Sequence, residues 1–141
     1  MEWDWLTLDG VHWGAVGLAF VATFALGWLW YSNAGFFPLW VRLAKVSDDD
    51  MKKANMAVAF GGTAAATVLG VVLLAVLMAA TGATTVASGA VLGALVGVVF
   101  RGGAHAIHNG FAARHPGVTL IDLAHDTVGL AVAGAILGAF A

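Results

Sequence analysis

No cysteine occurs among the 141 residues, and charge is scarce: six lysines and arginines, eight aspartates and glutamates. The missing thiol rules out disulfides, cysteine nucleophiles and thiolate metal sites, and removes cysteine as a marker of compartment. Six basic side chains are too few to track a phosphate backbone, which argues against nucleic-acid binding. Phosphate-loop, dinucleotide and Ser-His-Asp hydrolase signatures are absent as well, because the glycines stand in apolar runs rather than between a strand and a helix. The charged fraction is 10%, far under the roughly one quarter of a soluble domain.

What fills the chain is apolar: 61% hydrophobic residues, 19 glycines and a mean hydropathy of +0.92. This composition implies an all-α membrane protein. A single domain over residues 1–141 is expected, with four transmembrane helices at about 12–32, 48–80, 86–112 and 118–141. Each run is long enough to cross a hydrocarbon core of roughly 30 Å at about 1.5 Å per residue. The lead-in MEWDWLTLDGV carries Glu2, Asp4 and Asp9 with no basic residue, so it lacks the positive flank of a secretory signal and reads as an outer-interface segment. Six Trp, eight Phe and the one Tyr, Tyr31, serve as interface anchors. Between the first two helices, FFPLWVRLAKV (residues 36–46) reads as a short helix lying in the membrane surface, with an ordinary connecting loop as the alternative. Ser47 with Asp50 three residues later has the form of a capping box that starts the second long helix.

The basic residues are distributed unevenly. Arg42, Lys45, Lys52, Lys53 and Arg114 all fall in two connections on one side of the bundle. That side is expected to be cytoplasmic, with both termini outside, in a bacterial inner membrane.

The stretch Val86–Ala112, VASGAVLGALVGVVFRGGAHAIHNGFA, concentrates the unusual chemistry. Gly89, Gly93 and Gly97 are spaced four apart, and Arg101, His105, His108 and Asn109 follow in an otherwise apolar run. On a regular α-helix at about 100° per residue, Gly97, Arg101, His105 and His108 fall within roughly 80° of arc. The last helix carries Asp122, His125 and Asp126, with Gly129 continuing their face and Gly134 and Gly138 forming a second small-x-x-x-small pair. Small residues let helices approach closely enough for polar groups to meet. Counting from the short loop at 113–117 matches His108 with Asp122 in depth, and His105 with His125 and Asp126. Arg101 is expected to pair with Asp126, and His108 to share charge with Asp122.

With neutral histidines, one arginine faces two aspartates, leaving one negative charge to be met by a proton or a bound cation. Three readings stay open: a structural network fixing helix register, proton or cation handling, or a metal site drawn from His105, His108, His125 and Asp122. The sequence leaves the cofactor, if one is bound, unknown. A chain this small encloses little interior, so association with its own copies or with a larger membrane complex is expected, in a role as an accessory or structural subunit. A proton or cation pathway is the alternative, and a metal-dependent membrane enzyme the third possibility.

Gly27-Trp28-Leu29-Trp30-Tyr31-Ser32, followed by Phe37 and Trp40, resembles the bacterial membrane family known as domain of unknown function 1761. Ser47-Asp-Asp-Asp-Met-Lys-Lys, Asn109-Gly110-Phe111 and Gly134-Ala135-Ile136-Leu137-Gly138 extend the likeness over nearly the whole chain. Members more often carry proline where this chain has Asn33, and their third helix holds fewer histidines. The resemblance implies a small four-helix integral membrane protein and brings no activity or catalytic residues with it.

Overall fold

Every membrane-length helix begins at a side chain that takes up one of the amide protons left free in a first helical turn. In the computed structural model, which describes residues 7–141, His12 Nδ1 accepts from the Ala15 amide at 3.0 Å and opens α1 (Trp13–Trp30). Most of the acidic lead-in, with Glu2, Trp3, Asp4 and Trp5, lies outside the described residues. After the aromatic end of α1, α2 (Phe37–Ala44) starts with proline in its first turn and stops at Lys45 in the left-handed region, φ 54°. A short helix therefore stands between the first two long ones, as read from the sequence, in place of an ordinary loop.

Ser47 then caps α3 (Asp48–Lys53) through the reciprocal box with Asp50. The Asp50 carboxylate accepts from the Ser47 hydroxyl at 2.6 Å and the Ser47 amide at 3.0 Å. These two bonds, the hydroxyl's first, hold the exposed Asp50 carboxyl below its ordinary value. A depressed carboxyl stabilises the helix above the ordinary carboxylate range, and that contribution fades as the pH falls through the depressed value. Protection of the amides across Asp48–Lys53, relative to the free-peptide exchange rate at the same pH, should therefore fall below about pH 4. Ser47→Ala should make exchange fast at neutral pH and flatten its pH dependence; an unchanged profile in the variant would refute the box as its cause.

The second long helix differs from the single run expected over residues 48–80. Ala54 is extended, ψ 131°, and Asn55 starts a new helix, α4 (Met56–Thr81), its side-chain oxygen taking the Val58 amide at 3.1 Å. Asparagine competes for local backbone groups in this way, so it caps rather than continues a helix. The break leaves the charged DDDMKK segment as a separate turn before the apolar crossing begins. Gly82, at φ 71°, ends α4 in the left-handed conformation that glycine adopts without strain.

Thr85 and Ser88 form a second capping box at the head of α5 (Val86–Phe111). This helix is continuous, but Gly97–Gly102 within it is a π-helical turn between the α-helical pieces Val86–Val96 and Gly103–Phe111. His115 caps α6 (Pro116–Ala139), with Pro116 in the first turn. Four of these helices, α1, α4, α5 and α6, are long and apolar enough to cross a membrane.

The last helix is the most buried of the four. One side of it meets α1 and α4, through Ala15, Val16 and Ala19, Val71, Leu74 and Met78, and its own Leu130, Ala133 and Leu137. Its other side meets α5 backbone against backbone. Cβ atoms built at Gly89 and Gly134 would each strike the other glycine's carbonyl, one at Gly93 would strike that of Leu130, and one at Gly138 that of Thr85. The contact exists because these positions carry no side chain.

Candidate functional site

Close approach of α5 and α6 brings their polar residues together where the glycine zipper ends. Arg101 Nε lies 3.1 Å from Asp126 Oδ2, and His105 Nε2 lies 3.0 Å from the same oxygen. On the second carboxylate oxygen, Oδ1, His125 Nδ1 sits at 3.0 Å. Only 8% of the Asp126 side chain is exposed, against 40% for Arg101. A charge so placed needs partners within the bundle, and Asp126 has three. The Arg101 guanidinium also reaches toward Gly70, where a Cβ would stand 4.0 Å from Nη1, so the cluster joins α4, α5 and α6.

Asp122, expected opposite His108, is held elsewhere. Its Oδ1 accepts from the Tyr31 hydroxyl at 2.6 Å and from the Trp40 indole nitrogen at 3.0 Å. It therefore ties α6 to the end of α1 and to α2. His108 is exposed, and Asn109 donates to the Thr119 hydroxyl at 3.2 Å.

The π turn accounts for the change. It lodges an extra residue in one turn and so rotates everything after it by about 100° relative to a regular helix. Gly102, His105 and Asn109 then face α6, and His108 is turned away. The spacing of the glycines carries the signal: 89, 93 and 97 are four apart, and the next close approach, Gly102, is five on. A Cβ at Gly102 would come within 2.7 Å of the Leu123 side chain. Tyr31 and Trp40, read from sequence only as interface aromatics, are the site residues that pattern reading missed.

Among the described residues no group of three or more histidines, aspartates or glutamates is arranged to hold a metal ion. Of the metal candidates, His105 and His125 both bond Asp126, Asp122 is bonded by Tyr31 and Trp40, and His108 is outside the cluster. Of the glycines expected to pack helices, Gly89, Gly93, Gly97, Gly134 and Gly138 lie against backbone of the opposing helix, whereas Gly129 is buried with nothing within 4 Å of a built Cβ.

Beside Asp126 on α6, the His125 ring packs against Trp30 (centroids 5.9 Å apart) and Tyr31 (5.1 Å). His125 Nε2 and Trp30 Nε1 are both buried without a hydrogen-bond partner among the described residues. His125 also lines a cleft of about 500 Å³ between α1 and the first half of α4.

Fold and site together define a small all-helical protein with four membrane-length helices, tied by an interhelical Arg-Asp-His cluster. A family model described as "Protein of unknown function (DUF1761)" matches residues 14–138, and the chain belongs to that family. No curated protein and no solved structure matches it.

Proposed function

We propose that this chain is an accessory subunit of a membrane assembly, docking on a partner's helix through the first half of α4. The observation that supports this reading is the exposure of Met56 to Thr63 at every position. The other three crossings each bury a stripe within the bundle; this half-helix buries none until Val71. Val58, Gly61, Gly62, Ala65 and Leu69 fall within roughly 100° of arc on α4 and are all exposed. Small residues framed by two larger apolar ones suit close helix packing rather than lipid contact alone. The basic residues of the two connections favour a cytoplasmic placement for that end, with both termini outside, in a bacterial inner membrane.

Purification from its native membrane in mild detergent tests this. The chain is expected to co-elute with a larger complex, and Gly62→Leu to lower recovery about tenfold, equivalent to about 1.4 kcal/mol of interface energy. Elution alone, or only with copies of itself, would overturn the reading.

A proton pathway is the second reading, favoured by the unbroken chain from His105 Nε2 through both Asp126 oxygens to His125 Nδ1. Imidazoles on either side of a carboxylate can pass protons at neutral pH. In proteoliposomes carrying a pH gradient, Asp126→Asn should then abolish proton flux. Equal flux in variant and parent would remove this reading.

A further inference from the structure

Where α5 ends and α6 begins, the chain turns against the end of α2 and borders a cavity of about 450 Å³, large enough for a small ligand. The ionisable side chains of its lining are Lys45, Arg114 and His115, and no acidic residue is among them. The two connections are fastened to each other here. Leu43 lies against Gly117, where a built Cβ would come within 2.7 Å of it, and Arg114 Nη1 donates to the Ala44 carbonyl at 3.4 Å. None of the α4 docking stripe lines the cavity.

All three side chains are exposed and have donors to give. His115 Nδ1 accepts from the Gly117 amide at 3.0 Å, which places a ring hydrogen on Nε2. The Ala44 bond uses one of the five guanidinium donors of Arg114, and among the described residues no carboxylate lies within ion-pair distance of Arg114 or Lys45. Two aspartates of the following α3 are engaged on that helix: Asp49 lies 3.7 Å from Lys52, and Asp50 is bonded to Ser47. Positive donors gathered without a carboxylate suit an anion with several acceptor oxygens.

The kind of anion follows from where the cavity stands. It lies at the ends of two membrane-length helices, α5 and α6, and basic pockets at such helix ends suit the headgroups of anionic lipids. Phe111, 94% exposed, precedes the Ala112 wall and offers apolar surface to an acyl chain. A free phosphate would leave that surface uncovered. We propose that the cavity binds the phosphate of an anionic phospholipid, with Lys45, Arg114 and His115 Nε2 donating to its oxygens and an acyl chain lying along Phe111.

The test uses the full chain in detergent with equal amounts of phosphatidylglycerol and phosphatidylcholine of the same acyl chains, bound lipid being counted by native mass spectrometry. Phosphatidylglycerol is expected to be retained about tenfold over phosphatidylcholine, whose ammonium would meet two like charges. Lys45→Gln or Arg114→Gln should each cut that preference to about twofold, and Arg114→Lys, which keeps the charge, should preserve it. Lys52→Gln, an equal loss of charge on α3 outside the cavity, should leave it unchanged. Equal retention of the two lipids, a preference as sensitive to Lys52→Gln as to Lys45→Gln, or displacement of phosphatidylglycerol by equimolar inorganic phosphate, the mark of a free-anion site, would each overturn the proposal.

Discussion

Asp126→Leu is expected to destabilise the bundle by about 3 kcal/mol, because it strands Arg101 among apolar helices with the carboxylate it bonds gone. The arginine side chain is 40% exposed and bonded at 3.1 Å to a carboxylate that is 8% exposed. His105 and His125 lose their shared acceptor in the same variant. The informative comparison is Arg101→Met combined with Asp126→Leu, which removes both charges and should recover at least half of the loss. Unfolding in detergent, followed by circular dichroism or SDS titration, gives the cycle. A double variant no more stable than Asp126→Leu alone would show that the two side chains are not energetically coupled.

Gly93→Ala should be nearly as damaging, and a neighbouring glycine provides the control. A methyl at Gly93 would lie 2.6 Å from the Leu130 carbonyl carbon, on backbone that cannot rotate aside, so α5 and α6 must separate. Overpacking of this kind costs about 1–3 kcal/mol, and here it also stretches the contacts between Arg101, His105 and Asp126. Gly129 is also buried but has nothing within 4 Å of a built Cβ. Gly129→Ala should be neutral or stabilising by up to about 1 kcal/mol, since alanine is the better helix former. Melting temperatures of the two variants in one detergent decide the matter. Equal effects at both positions would mean that loss of glycine, and not collision between backbones, governs this seam.

Much of the molecule was written locally. Four crossings follow from the lengths of the apolar runs, and the capping box at Ser47 from two residues three apart. The facing of Arg101 and Asp126 followed from helical period plus a short loop that forces antiparallel neighbours. These features rest on short-range periodicity, or on one counting argument about depth, and sequence carries both directly. The break at Ala54–Asn55 was legible in principle, since asparagine favours caps, but the helix-forming residues around it concealed the boundary.

Tertiary structure decided which side chains meet. A regular 3.6-residue period places His108 toward the last helix, yet the π turn at Gly97–Gly102 rotates it away and turns Asn109 inward, while His105 faces the last helix under either count. Within that turn Gly102 lies against Leu123, a contact between residues distant in sequence. The hold of Tyr31 and Trp40 on Asp122 likewise depends on α1 and α2 folding back onto the start of α6. By itself the sequence determined that an ionisable cluster lies within the helices and which residue types compose it. Its pairings were settled by how closely the glycine-lined backbones pack, because a shift of one residue along a helix moves a side chain by about 100°.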